Sequence, residues 1–422
     1  MKEDFLHFIW KQRLFNQNDL QTTTGEKIEI IHVGYLNSDA GPDFFNAKIK
    51  ISSTLWAGNV EIHLKRSDWI AHNHENNPNY ANIILHVVME NDFEPTELPN
   101  LARIPTLVLD IPEKVKNNYM YIEQQKSTPI CGNSLHKINK MDLDNYLEYI
   151  LIERFEEKSL TAQNILERSN GCWSTLFYHL LVRTLGGHTN NPTFEQLAQH
   201  LPFKTLAKHS NSLFQLEALL FGTAGFLKNP TDEYQKELQM EFNFLKIKYD
   251  ITPLSEHLWK FLRLRPSNFP TLRIAQLAAI IHKNGGLFEP QASIKLITKP
   301  FQAEVSNYWK VHYHFGAPSE NKKSTTIGTQ TLQMIVCNVV IPYLFIYYKS
   351  RGESDKMQEI IELMEQLPSE KNKIIDTWSR LGLRSTKMSE SQALYHLYTR
   401  YCEPKKCLRC RIGQMVLTKY EF

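Results

Sequence analysis

Hydrophobic positions change period twice along the chain. Over residues 4–16, Phe5, Leu6, Phe8, Ile9, Trp10, Leu14 and Phe15 recur at helical spacing, with acids first and bases last, as a helix dipole favours. Gly25 opens an Ile-rich strand over 27–33. Gly41-Pro42 turns into an alternating strand over 43–51, and Ser52-Ser53-Thr54 leads into another over 55–65, so the two read as a hairpin. Ser67-Asp68 is an N-cap signal for a short helix broken by Pro78. Apolar runs over 83–89 and 106–109 read as two further strands. The order is helix, three strands, helix, strand.

Past residue 140 the helical period dominates. The pattern predicts helices through 143–244, with loops at Gly186-Gly187, Asn191-Pro192 and Asn229-Pro230, and further helices over 257–283, 327–349, 355–380 and 388–401. The longest apolar run, Met334–Tyr348, is 15 residues interrupted by Asn338 and Pro342. A bilayer span needs about 20 residues, so this run reads as a buried helix and no membrane association is expected. The expected class is α+β: an αβββαβ domain over 1–135, a helical domain over 136–385, and a C-terminal helix with a Cys-rich basic tail over 386–422.

Composition narrows the classes. With 422 residues, 42% hydrophobic and 22% charged, the chain can bury a large core, which excludes whole-chain disorder and collagen-like sequence. Net charge is 48 − 45 = +3, but residues 1–110 hold 9 bases and 15 acids, or −6, leaving +9 for the rest. An acidic front and a mildly basic back suit a metal-loaded site followed by a phosphate-contacting body, although solvated faces give the same asymmetry. Six cysteines do not make a disulfide scaffold, and the start lacks a secretory apolar region, so a cytoplasmic, reducing location is expected.

Candidate chemistry concentrates in two places. The first is Gly41-Pro42-Asp43 with Glu61-Ile62-His63 eighteen residues on. Strand alternation puts Glu61, His63 and Lys65 on one face and Val60, Ile62 and Leu64 on the other. Ionisable groups on a core strand are costly unless a metal or charged substrate compensates them. Asp43 begins the neighbouring strand, so two carboxylates and a backbone carbonyl could meet as hard oxygen ligands for Mg²⁺. The bland alternative has Asp43 capping a turn and Glu61 paired with Lys48 or Lys50. His72, His74 and His86 bring the imidazoles to four within 24 residues. With Glu61 they could bind Zn²⁺ or Mn²⁺. Against that, an H-x-H pair on a helix directs its rings apart, and His86 lies in an apolar run as a core histidine would.

The second place is the C-terminus, where Cys402, Cys407 and Cys410 stand as C-x4-C-x2-C. A C-x2-C turn is half of a Zn²⁺ or iron–sulfur site, and Cys131 is the candidate fourth ligand. Cys172 and Cys337 lie in helical apolar stretches and read as core. Basic residues recur over 400–411 and at Arg263, Arg265 and Arg273. These arginines could grip phosphates, or else cap helix ends. The aromatic cluster over 308–316 reads as core.

Helix, three strands, helix and strand, with Pro42-Asp43 and Glu61-x-His63 in that frame, resemble the PD-(D/E)xK phosphodiesterase superfamily of restriction and repair nucleases. The resemblance implies a restriction-endonuclease-like fold, with Asp43 and Glu61 as ligands of Mg²⁺ or Mn²⁺. It puts His63 where that superfamily carries lysine. A neutral His63 could act as base or ligand, or Lys65 could supply the positive charge. Glu3 is the candidate for the first-helix glutamate of related nucleases. Some of these enzymes also hold an iron–sulfur cluster on one cysteine before and three after the domain, a layout this chain resembles loosely. Over its whole length the chain resembles an uncharacterised bacterial family, typical of Bacteroidetes, through Asn37–Ala47, Gly58–His63, Leu213–Gly222, Arg263–Arg273 and Cys402–Cys410. The expected function is a metal-dependent phosphodiesterase acting on nucleic acid. The rivals are a non-catalytic nucleic-acid-binding or scaffold protein on a degenerate nuclease fold, and a His-rich metallohydrolase of small substrates.

Overall fold

Helix α1 (Glu3–Gln12) forms on the expected pattern and stops at Arg13, whose φ of 53° is left-handed. Phe5, Leu6, Phe8, Ile9 and Trp10 are buried, and the Trp10 indole N–H donates to the carbonyl of Val33 at 3.0 Å. Glu3 and His7 occupy the less buried side. The computed structural model describes residues 1–37, 39–74, 77–93, 103–125, 128–285, 298–319 and 326–419. The chain divides into two units: residues 1–147 with 376–384 and 395–422, and residues 148–375 with 385–394.

The first unit is built on one mixed sheet. Its strands are β1 (Ile28–His32), β2 (Tyr35–Leu36), β3 (Phe44–Ile51), β4 (Thr54–Lys65), β5 (Ile83–Glu90) and β6 (Thr106–Val108). Their order is β1-β3-β4-β5-β6, with β2 on the side of β3. β1, β3 and β4 pair antiparallel, whereas β4, β5 and β6 run parallel. A parallel pair needs a crossover, and helix α2 (Asp68–Ala71) with the turn Pro78–Tyr80 lies within it. Gly58 on β4 shows how closely the strands approach: a Cβ there would lie 2.4 Å from Cγ2 of Ile84. The strands read from the pattern are present with no end moved by more than one residue; β2 and helix α3 (Glu113–Gln124) are additional. The C-terminal helix Arg411–Lys419 belongs to this unit too, and the Asn118 side chain of α3 donates to the carbonyl of Leu417 at 3.0 Å.

The second unit is mostly helical, so the molecule is α+β with a helical body after the sheet. Prolines decide where the helix boundaries differ from expectation. Pro192 sits inside the helix Gly187–His200 instead of a loop. The helix expected over 257–283 begins only at Pro270, because Pro266 and Pro270 restrict the residues before them. Pro368 lies between Ser354–Glu365 and Lys373–Arg380, which were expected to be continuous. The apolar stretch is helical from Thr329 to Arg351 with a π turn at Val336–Val340, just before Pro342. Pro342 cannot donate back into the ladder. Lys158 Nζ donates to the carbonyl of Cys337 at 3.1 Å and to Oδ1 of Asn338 at 2.8 Å, satisfying groups in that turn. Trp309 is fully buried and stacks on Phe221, so the aromatic cluster is core.

Candidate metal centre

The site starts from a reciprocal contact between β3 and β4. Oδ2 of Asp43 accepts from the Ile62 N–H at 2.9 Å, and Oε2 of Glu61 accepts from the Asp43 N–H at 3.1 Å. Each carboxylate is therefore tied to the backbone beside the other. Glu61 is 4% exposed. Burial first, then the charge of Asp43, pushes its pKa up to about 9, against the opposing hydrogen bond from the Asp43 amide. The turn-and-ion-pair alternative does not form. Register places Lys48 opposite Ala57 and Lys50 opposite Leu55, and both lysines are exposed.

Three imidazoles complete the group. His63 projects from β4 and is 1% exposed. His72 closes α2, and Asn73 follows at φ 59°, a left-handed step that returns His74 toward His63. The expectation of diverging rings thus fails, because the pair lies on a turn and not on a helix. His72 Nδ1 is 3.2 Å from His63 Nε2; Glu61 Oε1 is 3.5 Å from His63 Nε2 and 3.3 Å from His74 Nε2. Ligand atoms of the three histidines all lie within 4.8 Å of one another. A tetrahedron with metal–ligand bonds of about 2.0–2.1 Å has edges of about 3.3 Å, close to the 3.2, 3.5 and 3.3 Å contacts made by His63 Nε2 and Glu61 Oε1.

Burial keeps the His63 imidazole neutral, the form that ligates. Burial, followed by the charges of His86, His74 and His72, pushes the His63 pKa down to about 2. His63 Nδ1 is 2.9 Å from His86 Nε2, so His86 orients the ring and leaves Nε2 facing Glu61 and His72. His86 is a core histidine, as expected, with its pKa pushed down to about 3 by burial, then by Arg66 and His74.

Helix α1 supplies the remaining wall. Glu3 and His7 are four residues apart and share a face. His7 Nε2 lies 3.2 Å from Oδ2 of Asp43. Burial raises the Glu3 pKa; the charges of His72 and His7 oppose the rise and that of Asp43 adds to it. Sequence reasoning missed His7; the available signal was a polar residue one turn after Glu3 amid buried aromatics. Lys65 does not join the site. Its ammonium is 3.8 Å from Glu90, both side chains half exposed, and only its backbone N–H engages Asp68. His72 is exposed and Asp43 partly so, which leaves the group one open side.

His7 also lines a groove of about 1180 Å³ in the first unit, together with Lys11, Lys406, Arg409 and Cys407. The arginines expected to grip substrate are in the second unit. Arg273 is 7% exposed and donates to Gln276, Asn268 and Thr331, so it is a structural cation and not a phosphate grip. Arg263 and Arg265 are exposed. Cys131, Cys402, Cys407 and Cys410 all fall in the first unit, in no disulfide, whereas Cys337 is buried and Cys172 exposed, not core.

The donor set of carboxylates and imidazoles around one point could hold a divalent transition ion, with Glu61, His63, His72 and His74 as the residues in reach. The family model described as "Protein of unknown function (DUF2851)" matches residues 3–373, and the chain belongs to that family. No curated protein and no solved structure matches it.

Proposed function

We propose that this member of the family is a metal-dependent phosphodiesterase acting on nucleic acid, on a restriction-endonuclease-like fold of the PD-(D/E)xK kind. The observation that carries the reading is the meeting of Asp43 and Glu61 across the β3–β4 pair, with His63 and His74 at 3.5 and 3.3 Å from Glu61 and His72 at 3.2 Å from His63. The order of α1, three antiparallel strands, a crossover helix and a parallel strand supports the fold reading.

Imidazole donors favour Mn²⁺ or Zn²⁺ over Mg²⁺, which prefers oxygen ligands. Such an ion supplies an acidified water and charge neutralisation at the phosphate. The chain's own residues do the rest. Glu61, His63, His72 and His74 hold the ion, and His86 fixes the ring of His63. With Lys65 engaged at Glu90, the proton of the attacking water falls to His7, whose Nε2 is 3.2 Å from Asp43. Burial lowers the His7 pKa, but the hydrogen bond and charge of Asp43 outweigh it and hold the value above normal. Lys11, Lys406 and Arg409 along the groove beside His7 can take the flanking phosphates.

The test is hydrolysis of labelled single- and double-stranded DNA and RNA, and of bis(p-nitrophenyl) phosphate, by metal-free protein resupplied with Mn²⁺ or Zn²⁺. Cleavage that disappears in Asp43→Asn and Glu61→Gln is expected. Absent cleavage with salt-sensitive binding that survives both changes would replace this reading with the non-catalytic one. Turnover of the small diester alone would favour a small-substrate hydrolase.

A further inference from the structure

The cysteines of the first unit play no part in that chemistry, yet the fold gathers them. Cys131 opens the turn Gly132–Lys137, and Cys402, 271 positions later, ends the π turn Tyr398–Cys402. Lys405, left-handed at φ 54°, redirects the chain, and its ammonium donates to the carbonyl of Gln125 at 3.3 Å. Ile130 and Cys407 line the same groove. Cys407 and Cys410 bracket a single 3₁₀ turn, with the Cys410 N–H donating to the Cys407 carbonyl at 3.2 Å. The helix Arg411–Lys419 packs so tightly on this turn that a Cβ at Gly413 would lie 2.3 Å from the Cys407 carbonyl oxygen. Cys402 and Cys410 are 8% and 5% exposed, and none of the four is in a disulfide.

We propose that Cys131, Cys402, Cys407 and Cys410 form a tetrathiolate metal centre, taking an iron–sulfur cluster or a zinc ion, that ties the C-terminal segment to the N-terminal sheet unit. Burial first, then the neighbouring cysteines, raises these thiols: Cys410 and Cys407 act on Cys131, and Cys131, Cys410 and Cys407 act on Cys402. The buried hydroxyl of Tyr146 bonds to Cys410, as outer-shell donors do at metal-bound sulfur. Charge agrees as well. Four thiolates around a divalent ion leave −2, and residues 400–411 bring Arg400, Lys405, Lys406, Arg409 and Arg411 against Glu403, a net of +4. The basic tail then also supplies countercharge to a metal centre. Two of the ligands come from the C-x2-C turn, Cys402 from the turn just before it and Cys131 from far back in the chain, which is how such a site closes a long loop.

The experiment is metal and acid-labile sulfide analysis of the full chain, purified without oxygen from iron-supplemented cells, with visible absorption recorded. Iron with matching sulfide identifies the cluster; zinc without sulfide identifies the single ion; either supports the centre if Cys402→Ser and Cys410→Ser lower the metal at least about tenfold while Cys172→Ser keeps it. His63→Gln, which strips the histidine group, is expected to leave this metal in place, so failure here and failure of the phosphodiesterase reading are separate results. Wild-type protein carrying neither sulfide nor a metal that depends on the cysteines overturns the proposal, whether or not the variants fold.

Discussion

Each unit of this protein buries a glutamate, and the two are solved differently. Glu217, on the helix Leu213–Thr223 of the second unit, is fully buried. The Tyr234 hydroxyl donates to its Oε2 at 2.5 Å and the Ser306 hydroxyl at 3.3 Å. Burial pushes its pKa up to about 7, opposed by hydrogen bonds from Tyr234, Ser306 and Trp309. Glu61 in the first unit is pushed further, to about 9, by burial and then by the charge of Asp43. One carboxylate faces hydroxyl donors at its Oε2, with its Oε1 buried and without a hydrogen-bond partner. The other is surrounded by groups that are themselves ligands, an arrangement that a cation stabilises. A buried acid alone therefore says little; the chemistry of what faces it separates a structural residue from a site.

The sharpest way to break this contrast is catalytic. Glu61→Gln and Asp43→Asn should each lower Mn²⁺-supported cleavage of bis(p-nitrophenyl) phosphate by about 100-fold or more, while Glu217→Gln leaves the rate unchanged. Equal rates in all three would remove the distinction.

Stability against pH gives the next effect. The folded pKa of Glu217 is raised, so its contribution is present below about 4.5 and is lost as pH rises toward about 7. The loss is of order 3 kcal/mol, and Glu217→Gln should flatten it in urea melts at pH 5 and pH 8. Glu61 follows the same sign over a window reaching about 9 in metal-free protein. His63 has the opposite sign: its folded pKa is depressed to about 2, so stability present above about 6.5 is lost as pH falls below that value. Saturating Mn²⁺ or Zn²⁺ should raise stability by about 2.7 kcal/mol at a hundredfold excess over Kd. The gain should be larger at pH 8 than at pH 5.5, where protons compete for the imidazoles. A pH-independent metal effect would argue against this ligand set.

The smallest effects concern the arginines. Arg273→Ala should destabilise by about 2–4 kcal/mol, because it strips the partners of a buried cation. Arg263→Ala and Arg265→Ala should each stay within about 0.5 kcal/mol. If all three weakened oligonucleotide binding with equal stability, their structural reading would fail.

Much of the first unit was legible because it depends on local signals. Alternation fixed β3 and β4, the apolar run fixed β5, and the Glu61-x-His63 spacing put both side chains on one face. Three features were not. The convergence of His72 and His74 depends on one left-handed residue, Asn73, which no periodicity announces. Lys65 shares the face of His63 by alternation, but it sits at the strand end and meets Glu90 on the parallel neighbour β5, a pairing the sequence does not display. Arg273 looked like a surface cation in a basic stretch, yet its helix begins at Pro270 and buries it. The proposed link from residue 131 to residues 402–410 is visible in the sequence only as an unmatched ligand count.

Whether Glu61 and its imidazoles bind a cation can be read from titration of metal-free protein with Mn²⁺, followed by electron paramagnetic resonance. The account predicts one tight site showing nitrogen couplings from imidazole, abolished by Glu61→Gln and retained in Glu217→Gln and Cys402→Ser. A free-ion signal unchanged by the wild-type protein, or a site lacking nitrogen couplings, would contradict it.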